Sequence, residues 1–184
     1  MTGSSLVTAI DERLRRGKYR VARNVEISVR VKANPHGSKT GSGWQTVRVT
    51  ADIVASRIYA APKAVSIISQ TLLVSEVENA DVDDLANLLA AGEYYAKRKQ
   101  LPFSSLWLGG YMTIPVVVTK NPDKALIAFA MAKPRQKWRR SHLSAVVDSD
   151  TGATYYYHGT GVFGAALFPD MRSALSRFIE TKAA

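Results

Sequence analysis

Alternating apolar and polar residues mark two strands in the first third of the chain. Residues 25–31 and residues 47–53 each place an apolar side chain at every second position. A period of two is typical of a half-buried β-strand. The intervening residues 34–43 are rich in Gly and Ser, so the two strands are predicted to form an antiparallel hairpin with a long loop. Its solvent face would carry Arg30, Lys32 and Arg48.

Apolar residues at helical spacing predict three helices, over about 5–16, 82–99 and 169–181. The first follows a serine cap and ends before Gly17, which is expected to stop it. Its last turn is rich in arginine, which the helix dipole favours at that end. The second begins among acidic residues and ends in Lys97–Lys99, again as the dipole favours.

Three further segments are richer in apolar residues and less clearly periodic. Residues 64–74 combine β-branched residues with some helical spacing, and a strand is preferred there over a helix. Residues 113–119 are nearly all apolar, which suits a strand buried on both faces. Residues 122–132 start with helix-capping residues and are rich in alanine, so a helix is expected, with a return strand as the alternative.

A second hairpin is predicted from residues 143–148 and 153–158, whose residues favour β structure on either side of a polar turn. No linker or repeat divides the 184 residues. We therefore expect one α+β domain over residues 1–184, with a mixed, mainly antiparallel sheet and helices packed on it.

Charge is the feature of the composition that bears most on function. The formal net charge is +10, and residues 1–57 contain eleven Lys or Arg against four Asp or Glu. Such a balance favours nucleic acid or another polyanion as partner. The chain has no cysteine, which excludes disulfides, thiolate zinc sites and cysteine nucleophiles. Charged residues interrupt the longest apolar zone, 112–132, so no transmembrane segment is predicted and a cytoplasmic location is expected.

The densest basic segment lies between the predicted helix 122–132 and the second hairpin. It places five cations within eight residues, around one tryptophan that could stack on a base. Together with the face of the first hairpin, it gives the predicted nucleic-acid-binding residues: Arg30, Lys32, Arg48, Lys133, Arg135, Lys137, Trp138, Arg139 and Arg140.

Other motifs are weaker when their context is considered. Residues 159–164 spell G-x-G-x-x-G, but too few residues follow for a βαβ nucleotide-binding unit. Asp148–Gly152 resembles the start of a calcium loop, yet its glycine comes one position early, so a polar turn is expected. The three histidines lack metal-ligand spacing. The acidic cluster over residues 76–84 is attributed to the helix that follows rather than to metal or acid–base chemistry. No cofactor, metal site or catalytic residue is predicted.

Three functional hypotheses follow. The first is a non-enzymatic module that binds a polyanion, with nucleic acid as the expected ligand. The second is a protein-interaction or assembly subunit, with or without self-association, that uses the apolar and aromatic loop 101–111. The third is an enzyme without a recognisable motif, for which His158 with Asp148 or Asp150 would be the first residues to test.

Overall fold

The computed structural model describes residues 3–32, 44–61, 66–99, 109–134, 140–159 and 167–180. These residues form four helices and a seven-stranded mixed sheet. The elements in chain order are α1 Gly3–Arg16, β1 Arg20–Lys32, β2 Trp44–Ala61, β3 Ser66–Glu76, α2 Val82–Arg98, β4 Gly109–Thr119, α3 Lys124–Met131, β5 Arg140–His142, β6 Ala145–Asp148, β7 Thr154–Tyr156 and α4 Phe168–Ala174, which continues as a π-helical turn over Leu175–Ile179.

The sheet combines an antiparallel unit of three strands, β1 to β3, and a hairpin of β6 and β7 with a parallel centre. Its order is β1-β2-β3-β4-β6-β7, with β1, β2 and β3 antiparallel, and β6 and β7 antiparallel. β3 and β4 are parallel, and β5 and β6 both run parallel to β4 in one continuous register. α2 and α3 provide the crossovers that parallel neighbours require. The α+β class with a mixed sheet is thereby confirmed.

Helices cover both faces of the sheet. On one face, α2 and α3 bury Leu85, Leu88 and Leu126 against sheet residues such as Leu73 and Val117. On the other face, α1 and α4 form a second core with the opposite side of the same strands. Its members include Leu6, Ile10, Leu14, Phe168, Met171, Leu72 and Ile114. Because β3 and β4 are buried on both faces, their sequences read as nearly continuous apolar runs.

The two segments with alternative predictions, 64–74 and 122–132, adopt the preferred structures. Residues 66–76 form strand β3, and residues 124–131 form helix α3. Asp123 caps α3 by accepting a hydrogen bond from the Leu126 amide at 2.6 Å. The first hairpin is longer than its alternation suggested, because β1 and β2 extend to Arg20 and Ala61.

The acidic cluster serves the start of α2, as expected. Asp81 accepts a hydrogen bond from the Asp84 amide, and the Asp84 carboxylate accepts one from the Asp81 amide. This reciprocal pair is a capping box. Within the described residues, no group of three His, Asp or Glu side chains could hold a metal ion. No helix in the described part of the chain is long and apolar enough to cross a membrane.

The residue whose conformation ends α1 is not the predicted one. The Tyr19 amide donates to Leu14 O at 3.1 Å and the Lys18 amide to Arg15 O at 3.0 Å, as in a Schellman motif. In this motif the left-handed residue is Lys18, with φ 63°, and not Gly17. Glycine suits position 17 for another reason, since a Cβ there would lie 2.4 Å from the Phe178 ring, which would have to move.

The direction of the parallel strands gives the sheet two distinct ends. We call the end where β3, β4 and β5 begin the amino end, and the end where β3, β4 and β6 finish the carboxyl end. α2 and α3 start near the carboxyl end and return to the amino end, so the basic residues that follow them lie at the amino end. The capping acids of α2 lie at the carboxyl end.

Candidate functional site

A cleft of about 610 Å³ opens at the amino end, on the face that α2 covers. It is lined by the start of β1, by the neighbouring parts of β2 and β3, and by the last turn of α2. Its polar lining consists of Lys18, Arg20, Ser56, Arg57, Ser69, Tyr95 and Lys99. None of the described residues that line it is acidic.

Three local structures place the cations of this cleft. Lys18 occupies the left-handed position that ends α1. Arg20 is the first residue of β1 and pairs with Ser56 of β2. Val54 is two residues before Ser56, on the same face of β2, and packs beneath α2. Lys99 follows α2 directly, and its amide donates to Tyr95 O at 3.1 Å. The Lys99 Nζ atom lies 5.7 Å from the centroid of the Tyr95 ring.

No acid among the described residues forms an ion pair with Lys18, Arg20 or Lys99 of the cleft. The arginines of α1 differ in this respect, because Arg15 pairs with Asp11 at 3.0 Å. The carboxyl-terminal dipole of α2 partly offsets the positive field at Lys99. The cleft nevertheless presents three cations with hydroxyl donors between them, which is the chemistry of an anion-binding surface.

Arg57 borders the cleft, but its guanidinium lies on the opposite face of the sheet, as its contacts show. The guanidinium carbon is 4.7 Å from the centroid of the Tyr19 ring and 4.8 Å from that of the Tyr59 ring. Its Nε–H donates to Gln70 Oε1 at 2.6 Å. Burial raises the pKa of Tyr19 to about 12, against the opposing effect of Arg57. Burial, and a hydrogen bond to Asp170, also raise the pKa of Tyr59.

The structure divides the predicted binding residues between the two ends of the sheet. Arg30 and Arg48 are exposed on the part of the first hairpin that continues past the carboxyl end of β3. Lys133 follows α3, and Arg140 begins β5 opposite Tyr111, so both lie at the amino end with the cleft. The structure therefore places these two residues at the same end of the sheet as the cleft, and separates them from the hairpin.

Several predicted residues are not covered by the described structure. Arg135, Lys137, Trp138 and Arg139 lie outside the described residues, and the side chain of Lys32 does too. The same holds for residues 101–108 of the apolar loop and for residues 160–166, which include most of the G-x-G-x-x-G motif. The remaining part of the apolar loop begins β4, where Tyr111 is buried in the protein core.

The residues considered for an enzyme lie apart along the second hairpin. Asp148 accepts hydrogen bonds from Thr151 Oγ1 at 2.7 Å and from the Asp150 amide at 2.9 Å, so its carboxylate holds the turn. The expected polar turn is thus present. His158 lies beyond the other end of β7, with its ring 4.4 Å from that of Tyr156. The strand pairing separates the aspartate from the histidine by the length of β7.

Sequence reasoning did not select Lys18, Arg20 or Lys99 individually. The excess of positive charge over residues 1–57 pointed to the correct region for the first two, but Lys97–Lys99 were assigned to the helix dipole alone. Comparison with known protein families, curated proteins and solved structures gives no match. The function of the chain must therefore be inferred from the chemistry of this cleft.

Proposed function

We propose that this chain is a non-enzymatic module that binds a polyanion, and that the polyanion is nucleic acid met in the cytoplasm. The observation that carries the proposal is the cleft itself, which gathers Lys18, Arg20 and Lys99 without an acidic residue among its described lining. Ser56 and Ser69 add hydroxyl groups, which commonly accompany lysine and arginine in contacts to phosphate.

The distribution of charge favours an extended ligand over a single ion. Arg20 lies on β1 and Arg140 on β5, which is four strand positions away across the amino end. At a spacing of about 4.8 Å between strands, this corresponds to roughly 19 Å. A nucleic-acid strand rises about 3.4 Å per nucleotide in a B-form duplex, so about five phosphates could lie along this edge.

The test is binding of fluorescently labelled single-stranded and duplex oligonucleotides at stepped salt concentrations. We expect affinity to fall steeply as salt rises, because bound cations release counterions from the phosphates. In the variant Arg20→Glu/Lys99→Glu the slope of log affinity against log salt should decrease by about 1.4–1.8, corresponding to two lost phosphate contacts.

The matched control is Arg30→Glu/Arg48→Glu, which makes the same charge change on the hairpin beyond the carboxyl end. This variant should retain the slope of the wild-type protein. An equal loss in both variants would mean that net charge, and not the cleft, determines binding. Absence of binding even at low salt would overturn the proposal.

A protein-interaction subunit is the second candidate, and one observation favours it. Ile58 and Ile67, on the adjacent strands β2 and β3, are about half exposed, at 51% and 49%. They lie at the amino end, and Ile67 pairs with Gly109, where the chain passes from the apolar loop 101–111 into β4. An apolar contact through them would be insensitive to salt or strengthened by it, which distinguishes this candidate from phosphate binding.

A further inference from the structure

The outer edge of β1 has no partner strand among the described residues. β1 stands at one end of the sheet order and pairs on one side only, with β2. Within the described residues, no backbone hydrogen bond outside this ladder reaches residues 20–32. α2 contacts β1 through Ile27 and Val29, whose side chains project from a face of the sheet and not from its edge. An edge of this kind is a template for a further strand.

The free segment of β1 is symmetric about Ser28. Asn24 adopts φ 51° and is left out of the register with β2, so it interrupts the regular strand on one side. β1 ends at Lys32 on the other side. Asn24 and Lys32 are equally distant from Ser28, which is exposed. A second copy that pairs antiparallel with this segment can therefore use all of residues 25–31 when the twofold axis passes through Ser28.

This axis places opposite charges across the interface. Glu26 and Arg30 are both exposed, on the same face of β1 and at equal distances from Ser28. Antiparallel pairing about Ser28 sets Glu26 of each copy opposite Arg30 of the other, which gives two ion pairs. An axis at Glu26 or at Arg30 would instead set a like charge opposite itself. Opposite charges directly across neighbouring strands stabilise a sheet and like charges destabilise it, so the charges favour the axis at Ser28.

The apolar side of the segment fits the same register. Val25 falls opposite Val31 of the other copy, and Ile27 falls opposite Val29. Ile27 and Val29 are already buried, whereas Val25 and Val31 are only partly buried against the core beneath α2. Pairing therefore gives each partly exposed valine an apolar neighbour at the distance of a cross-strand pair. The segment is complementary to itself on both faces.

The neighbouring strand does not offer the same match. Residues 44–52 of β2 extend past the end of β3, so they too lack a partner strand on that side in the described structure. Ser75 Oγ donates to Thr50 O at 3.1 Å, which occupies one acceptor of this edge. Antiparallel self-pairing about the centre of this segment would set Arg48 opposite itself, which is repulsive.

We propose that this chain associates with a second copy of itself through antiparallel pairing of the two β1 edges over residues 25–31, so that the two sheets join into one. Backbone hydrogen bonds hold the strands together, and the two pairs of Glu26 with Arg30 fix the register. The interface lies beyond the carboxyl end of β3, away from the cleft of Lys18, Arg20 and Lys99. It does not depend on the proposed function, because an oligonucleotide short enough for one cleft binds monomer and dimer alike.

The experiment is sedimentation velocity of the full chain at physiological ionic strength and at protein concentrations from about 1 µM to about 1 mM. We expect the wild-type protein to convert reversibly from monomer to dimer. Glu26→Arg and Arg30→Glu each set like charges opposite one another twice, so each should weaken dimerisation by about tenfold or more. The double variant Glu26→Arg/Arg30→Glu restores opposite charges and should dimerise as the wild-type protein does.

The decisive measurement mixes the two single variants. Only a mixed dimer sets the two arginines of Glu26→Arg opposite the two glutamates of Arg30→Glu, so an equimolar mixture should dimerise far more than either variant alone. Both variants keep a large positive net charge, so attraction between whole molecules does not account for such a result. The matched control is Arg48→Glu, which makes the same charge change on the exposed face of β2, one strand in from the edge, and should dimerise as the wild-type protein does.

Thermal unfolding of every variant shows whether it remains folded, and the mixture and the double variant carry the test if a single variant is less stable. A wild-type protein that stays monomeric at the highest concentration would overturn the proposal. So would a dimer that neither single variant weakens, or single variants that fail to combine, since either result places the interface elsewhere. Equal weakening by Arg48→Glu and Arg30→Glu would attribute the effect to overall charge and would also refute pairing through β1.

Discussion

Replacing Lys18 with glycine should make the protein more stable and at the same time weaken its binding to polyanions. Lys18 adopts φ 63°, in the left-handed region. Side chains with a Cβ atom pay for this conformation, whereas glycine adopts it without a steric penalty. The same residue contributes one of the three cations of the cleft. A single substitution therefore separates the conformational role of this position from its charge.

The expected magnitude follows from the backbone. The left-handed conformation costs a residue with a Cβ about 1–2 kcal/mol. Glycine loses more conformational entropy on folding than lysine does, which reduces the stabilisation expected from the substitution by about 0.5–1 kcal/mol. The net stabilisation of Lys18→Gly should be about 0.5–1 kcal/mol, or a rise in Tm of about 1–4 °C for a chain of this length. Loss of one phosphate contact should lower the salt slope of nucleic-acid binding by about 0.7–0.9.

The assay combines thermal unfolding with the salt-stepped binding measurement. Lys18→Ala is the matched control, since it removes the same charge but keeps a Cβ atom at the left-handed position. Its Tm should stay close to that of the wild-type protein, while its binding should fall as far as that of Lys18→Gly. If Lys18→Gly were no more stable than Lys18→Ala, the left-handed assignment would be wrong. If both bound nucleic acid as the wild-type protein does, Lys18 would have no part in the site.

Two other substitutions test the packing and the ion pairs of the fold. Gly92→Ala should lower the free energy of unfolding in urea by about 1–3 kcal/mol, although alanine has the better helix propensity. The reason is that a Cβ at position 92 would lie 2.4 Å from Thr113 Cγ2 and 2.6 Å from Leu73 Cδ1. Adding Thr113→Ser should recover part of the lost stability. Asp11→Asn should cost about 1–2 kcal/mol at neutral pH. Burial alone would raise the pKa of Asp11, but hydrogen bonds from two arginines outweigh it and lower that pKa below its ordinary 3.8. The stability that this carboxylate contributes is therefore present above pH 3.8 and is lost as the pH falls through the lowered pKa, so the difference between wild type and Asp11→Asn should shrink there; a difference independent of pH would refute the ion-pair explanation.

Much of the secondary structure could be predicted because local patterns determine it. The alternation over residues 25–31 and 47–53 reflects strands with one packed and one solvent-facing side, and the structure shows both. Asp123 and Asp81 cap helices through hydrogen bonds to amides three residues ahead. Such signals lie within a few residues of the elements that they define, so no knowledge of the tertiary structure is needed to read them.

The candidate site was not predictable in the same way, because it depends on strand order. Arg20 and Lys99 are far apart in the sequence and meet only because α2 carries the chain back to the amino end after β3. The left-handed conformation of Lys18 was equally hidden, since the neighbouring Gly17 is the residue that normally ends a helix. The close approach of Gly17 to Phe178, which comes from the opposite end of the chain, was hidden as well.

The basic amino end has two separate origins, and they do not carry equal weight for function. Lys97, Arg98 and Lys99 end a helix that begins with acids, so the helix dipole alone accounts for their type. Topology then gathers such helix ends at one end of the sheet whether or not a ligand binds there. Arg20 has no such explanation, because it lies in a strand, and at Lys18 the dipole of α1 is opposed by a backbone conformation that disfavours lysine. Lys18 stands where the backbone would favour glycine, beside a cleft whose described lining contains no acid, and the proposal that the chain binds anions rests on this placement.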